Sequence, residues 1–139
     1  MRARNSIAVI AAVIAADQLA KFFSSDITKN PGLPFGIIVP GLPDGRQGFF
    51  NLLVPAVLFT LFVILYFRLF GQANLGFALI VGGALANLAD RVYFGYARDF
   101  INIGIATMNV ADIAIWAGIM LLLINQKLKI KMENYSVKF

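Results

Sequence analysis

Apolar residues in this chain gather into four long stretches, and the charged residues fall between them or at their edges. Residues 47–67 and 69–89 contain no Asp, Glu, Lys or Arg. Each is long enough for a helix that crosses the ~30 Å hydrocarbon layer, which takes roughly 20 residues. Arg68 stands between them and predicts a tight turn at one membrane face. Residues 6–16 form a third apolar stretch that runs into Asp17-Gln18-Leu19-Ala20-Lys21, and residues 110–124 form a fourth that is interrupted by Asp112. The pattern predicts one integral membrane domain over residues 1–139, with spans at about 6–24, 48–67, 71–91 and 109–126. The expected fold is an all-α membrane protein: a four-transmembrane-helix bundle with a small extended or β region on the outer surface, around residues 95–101.

Composition agrees and narrows the chemistry. Hydrophobic residues make up 60% of the chain and charged residues 14%, whereas soluble domains carry about 25% charge. The absence of Cys and His excludes a disulfide framework, a Cys/His zinc site, a Cys nucleophile and any His-based triad. Chemistry must therefore rest on Asp, Lys, Arg, Asn, Ser, Thr or Tyr, and no metal or cofactor is expected.

The distribution of charge predicts an orientation. Arg2, Arg4, Arg68, Lys127, Lys129, Lys131 and Lys138 lie at the termini or the middle turn, with only Glu133 for company. Basic loops stay cytoplasmic, so both termini are expected inside. The other acids, Asp17, Asp26, Asp44, Asp90, Asp99 and Asp112, then collect at the outer end. The net charge of +5 is explained by this topology and by anionic headgroups, and no nucleic-acid partner is expected. Arg2 and Arg4 before an apolar stretch ending in Ala15-Ala16 also fit a cleavable signal peptide. Its removal would discard Asp17 and Lys21 and leave three spans.

Several polar residues sit where a span makes them costly. Asp17 and Lys21 are spaced i and i+4, with the acid first as such pairs prefer; the plainer reading is a pair snorkelling at the end of a span. Gly83, Asn87 and Arg91 recur on one helical stripe, and Asp90 falls three residues after Asn87. Helix-to-helix glue explains that stripe as readily as a functional site does. Asp99, beside Arg98, would ordinarily be a loop ion pair. Asn109 is a candidate N-cap, with Asp112 in the first turn behind it. Together these segments bring two carboxylates, Asp99 and Asp112, to one membrane depth with Asn and Arg nearby. Two close carboxylates cannot both ionise, so one can activate water while its protonated partner serves as general acid.

The blocks DQLAK (17–21), NPGLPFG (30–36), GGALANLADR (82–91), GYARDFI (95–101) and NVADIAIWAG (109–118) resemble, in order and over nearly the whole chain, the prolipoprotein (type II) signal peptidases. The resemblance implies a four-helix membrane aspartic endopeptidase with its active site near the outer leaflet, in the bacterial cytoplasmic membrane. Such an enzyme cleaves just before the lipid-modified Cys of prolipoproteins. Asp99 and Asp112 match the catalytic pair. Asn87, Asp90 and Arg91 match the block that orders the site, and Asp17, Lys21, Asn30, Gly32 and Asn109 match positions that line or support it. The implied partners are lipid-modified prolipoproteins and membrane lipids, and the chain is expected to be a monomer. Against the family pattern, the outer segments between Lys21 and Asn30 and between Asp99 and Asp112 are short. Ala86, Pro34 and Met108 replace a usual Gly, Ala and aromatic residue. An inactive paralogue that binds lipoproteins and a small channel or transporter are the alternatives.

Overall fold

A computed structural model describes residues 3–30 and 44–136. Its four long helices are α1 (Ala3–Phe23), α2 (Asp44–Phe70), α3 (Leu75–Phe94) and α4 (Val110–Ser136). Each contains a segment long and apolar enough to cross a membrane: Arg4–Phe23, Phe49–Phe70, Leu75–Phe94 and Val110–Met132. The short strands β1 (Thr28–Asn30) and β2 (Ala97–Asp99) pair antiparallel, as do β3 (Ile101–Asn102) and β4 (Thr107–Met108). The expected helical membrane fold with a small extended region is therefore what the chain forms.

The turn between α2 and α3 is displaced from its expected place at Arg68. Arg68 lies inside the last turn of α2, and the chain reverses at Gly71–Asn74. Gly71 takes φ +69°, a left-handed conformation that costs glycine little. The Asn74 side chain then caps α3 by accepting from Phe77 N–H at 2.9 Å. Arg68 did not mark the turn because a long basic side chain is tolerated in the final turn of a span, where its head can reach the interface.

Helix α3 is the centre of the bundle: 56% of its span is buried, against 17% or less for each of the others. Small residues allow its close contacts. A Cβ on Gly83 would collide with the Ala111 carbonyl oxygen of α4, and one on Gly76 would lie 2.8 Å from the Gly118 carbonyl oxygen. On the α1 side, a Cβ on Gly82 would lie 2.9 Å from Val13 Cβ. Helix α2 joins through aromatic stacking, with the rings of Tyr66 and Phe77 4.3 Å apart and Phe62 stacked on Phe77. Exposed side chains such as Leu61, Ile64, Leu65, Leu123 and Ile124 face outward, as expected where the surrounding solvent is lipid.

Candidate active site

Three elements deliver the central side chains to one end of the bundle. In α3, Asn87, Asp90 and Arg91 share the buried face, with relative exposures of 8%, 1% and 7%. Strand β2 ends in Asp99, which is fully buried although it lies beyond α3. Asn109 starts α4 in a reciprocal cap: its Oδ1 accepts from Asp112 N–H at 3.0 Å, and its own N–H donates to Asp112 Oδ2 at 3.2 Å.

Asn109 and Asn87 connect the two carboxylates. Asn109 Nδ2 donates to Asp99 Oδ1 at 2.7 Å and to Asn87 Oδ1 at 2.9 Å. Asn87 Nδ2 donates to Asp112 Oδ1 at 2.8 Å. Asn30 completes the setting of Asp99 by donating to Oδ2 at 2.9 Å. Burial pushes the Asp99 carboxyl above its ordinary range, and the charge of Asp112 acts in the same direction, while the Asn30 and Asn109 donors pull it back.

Asp17 and Lys21 are not a snorkelling pair. Lys21 is buried, and its Nζ lies 2.6 Å from Asp17, 2.9 Å from Asp90 and 3.4 Å from Asn87 Oδ1. Three acceptors thus meet the three donors of the ammonium group. Asp17 also accepts the backbone N–H of Ala111 at 2.9 Å, so α1 satisfies one of the unpaired N–H groups at the start of α4. The expected Arg98–Asp99 loop pair does not form either: Arg98 turns the other way and binds Asp90 at 2.8 Å. Of the anticipated site residues, Asp17, Lys21, Asn30, Asn87, Asp90, Arg91, Asp99, Asn109 and Asp112 come together. Gly32 lies outside the described residues. Two participants were not anticipated, Gln18 and Arg98. Strand alternation around Asp99 was the available signal for Arg98, since neighbouring strand residues face opposite sides.

A cavity of about 610 Å³ opens beside this centre. Its polar end carries Asn87, Arg91, Asp99 and Asp112, and its walls are apolar: Pro55, Leu58, Phe59 and Phe62 of α2, Ile80 and Ala84 of α3, Ile115 and Trp116 of α4. One site can therefore take a long apolar group against its walls while presenting a polar group to two carboxylates.

Fold and cavity define the class as a multi-span helical membrane protein with a buried charged centre at the end of an apolar chamber. The family profile described as Signal peptidase (SPase) II matches residues 5–128. The chain is 38% identical over 114 residues to a lipoprotein signal peptidase of Histophilus somni, covering 75% of this chain and 67% of that protein. It is 33% identical over 120 residues to one of Coxiella burnetii, covering 80% and 72%. A bacterial membrane enzyme solved by the in meso method has the same fold, with TM-score 0.71 at 23% identity over 90% of this chain and 88% of that one. The chain belongs to the signal peptidase II family: it is a peptidase of a bacterial membrane.

Proposed function

We propose that this peptidase removes the signal peptide from diacylglyceryl-modified prolipoproteins, cleaving before the lipidated Cys, with Asp99 and Asp112 as its catalytic carboxylates. The observation that carries this reading is that both carboxylates line the polar end of a cavity whose walls are apolar. The names of its relatives, lipoprotein signal peptidases, support the same substrate class.

The chemistry follows from charge and hydrogen bonding. Buried or half-buried around the site stand four carboxyl groups, Asp17, Asp90, Asp99 and Asp112, and three cations, Lys21, Arg91 and Arg98, while Lys29, which also lines the cavity, is exposed to solvent. One proton held by the Asp99/Asp112 pair balances the buried charge. The ionised member accepts a proton from water as that water attacks the scissile carbonyl, and the protonated member donates a hydrogen bond to the carbonyl oxygen. The proton gained by the base then passes to the leaving amine. The asparagine donors fix both carboxylates so that neither has to reorganise during the step.

Lipid supplies much of the binding, because each buried CH₂ contributes roughly 0.8 kcal/mol. The acyl chains lie along the walls of α2 and α4, which brings the peptide to the dyad. In this reading both termini are cytoplasmic, the site is at the outer face, and a monomer forming a single domain suffices.

A gel-shift assay in liposomes tests the proposal. A diacylglyceryl-modified prolipoprotein should shift on incubation with the native protein, and the same precursor without its lipid should not. Binding of the modified precursor without turnover by a folded native protein would sink the enzyme reading in favour of an inactive lipoprotein binder.

A further inference from the structure

The dyad has a mechanical link to the rest of the bundle that runs through a residue outside the cavity. Arg98 directly precedes Asp99 on β2 and is tied at each of its polar ends. Its N–H donates to Asp90 Oδ2 at 3.0 Å, and its guanidinium reaches Asp90 Oδ1 through Nε at 3.3 Å and Nη2 at 2.8 Å. Nη2 also donates to Gln18 Oε1 at 2.6 Å, and the Arg98 carbonyl oxygen accepts from Asn109 Nδ2 at 3.2 Å. The Phe94 ring lies 4.3 Å from the guanidinium carbon, and the side chain is only 17% exposed. One residue is thus held by α1, by α3 and by the cap of α4.

Asp90, on the receiving end, branches toward the other carboxylate. Its Oδ2 meets Lys21, Lys21 meets Asn87, and Asn87 donates to Asp112. Gln18 closes the junction by donating from Nε2 to Asp90 Oδ1 at 3.1 Å. A rotation of Asp90 would therefore disturb Asp99 through β2 and Asp112 through Lys21 and Asn87 together. An arginine suits this junction because its planar guanidinium holds its donors in a fixed fork, so that Nε and Nη2 both face Asp90 Oδ1 while Nη2 also reaches Gln18, whereas an ammonium is a single point charge.

We propose that Arg98, braced by Gln18, is a positioning residue that sets the separation of the two catalytic carboxylates by clamping β2 to Asp90. It touches no substrate, and its effect is on kcat. The inference rests on the two-carboxylate reading above.

The test measures kcat and KM for cleavage of a diacylglyceryl-modified prolipoprotein in liposomes by the native protein and by Arg98→Met, Arg98→Lys, Asp99→Asn and Asp112→Asn. Misplacing a catalytic group by about 1 Å can cost around 100-fold. Arg98→Met is accordingly expected to lose about 30- to 100-fold in kcat with KM within about threefold, and Arg98→Lys to recover part of that loss, remaining about 3- to 10-fold below native. If Arg98→Met does not fold, Arg98→Lys decides: native kcat in that variant overturns the proposal. So does a raised KM with unchanged kcat, which would make Arg98 a substrate contact. If the two aspartate variants are inactive while both arginine variants match the native protein, this inference alone fails. If either aspartate variant cleaves at the native rate, the two-carboxylate reading fails with it.

Discussion

The side-chain nitrogen of Asn109 lies 2.7 Å from Oδ1 of Asp99, so the residue that caps α4 also holds the carboxylate carried by β2. Its oxygen caps the helix and its amide group serves the site, and the two roles are separable. Serine keeps a capping oxygen and loses the amide donor. Asn109→Ser is expected to lower kcat by about 100-fold. Asn109→Ala should lose the cap as well and fall a further ~1 kcal/mol in stability. Cleavage kinetics and thermal unfolding of the two variants, compared side by side, check this.

Lys21 neutralises two buried carboxylates, Asp17 and Asp90, at 2.6 and 2.9 Å. Removing one member of a buried ion pair typically costs about 3–5 kcal/mol, because a charge is left without compensation. Lys21→Met should therefore lower the unfolding temperature in detergent by many degrees. An unchanged unfolding temperature would mean that the ammonium does not carry this balance.

The contact between α3 and α4 leaves no space at Gly83, where a Cβ would collide with the carbonyl oxygen of Ala111, the residue before Asp112. Overpacking of this kind costs about 1–3 kcal/mol. Gly83→Ala is expected to lose that much stability and to lower activity with it. Ala89→Val, at an exposed position of the same helix, should stay within about 0.5 kcal/mol. Unfolding curves of the two variants distinguish crowding from a general effect of a larger side chain in α3.

Burial raises Asp99 above its ordinary 3.8, which makes stability depend on pH. The folded protein holds the Asp99 proton more tightly than the unfolded chain does. The associated stability is fully present below about pH 3.8 and is lost as pH rises through the folded value. Unfolding temperature measured against pH should fall across that window in the native protein, and the slope should be smaller in Asp99→Asn. Equal slopes in the two proteins would show that Asp99 is not the group responsible.

Some of this was legible in the sequence because the bilayer imposes a length. Four apolar stretches that meet it predict four helices, and four helices form. Their boundaries are less accessible: an Arg between two uncharged stretches points to a turn at 68, whereas the cap at Asn74 and the left-handed Gly71 set it. The Asn109/Asp112 cap was legible because it is local. The burial of Lys21 was not, since an i, i+4 pair looks the same whether it snorkels or meets a third partner such as Asp90 from another helix. Arg98 was hidden for a related reason. Adjacency suggested pairing with Asp99, but neighbouring residues on an extended strand diverge, and its true partner lies eight residues earlier, in α3.

The most direct test of the central claim is single-turnover cleavage of a diacylglyceryl-modified prolipoprotein in liposomes by Asp99→Asn and Asp112→Asn proteins whose folding has been verified. In the proposed mechanism, replacing either carboxyl removes the base or the acid, each worth about 10²–10⁴-fold. Both folded variants are expected to lose at least about 100-fold in rate. A folded variant of either residue that cleaves at the native rate would contradict that claim.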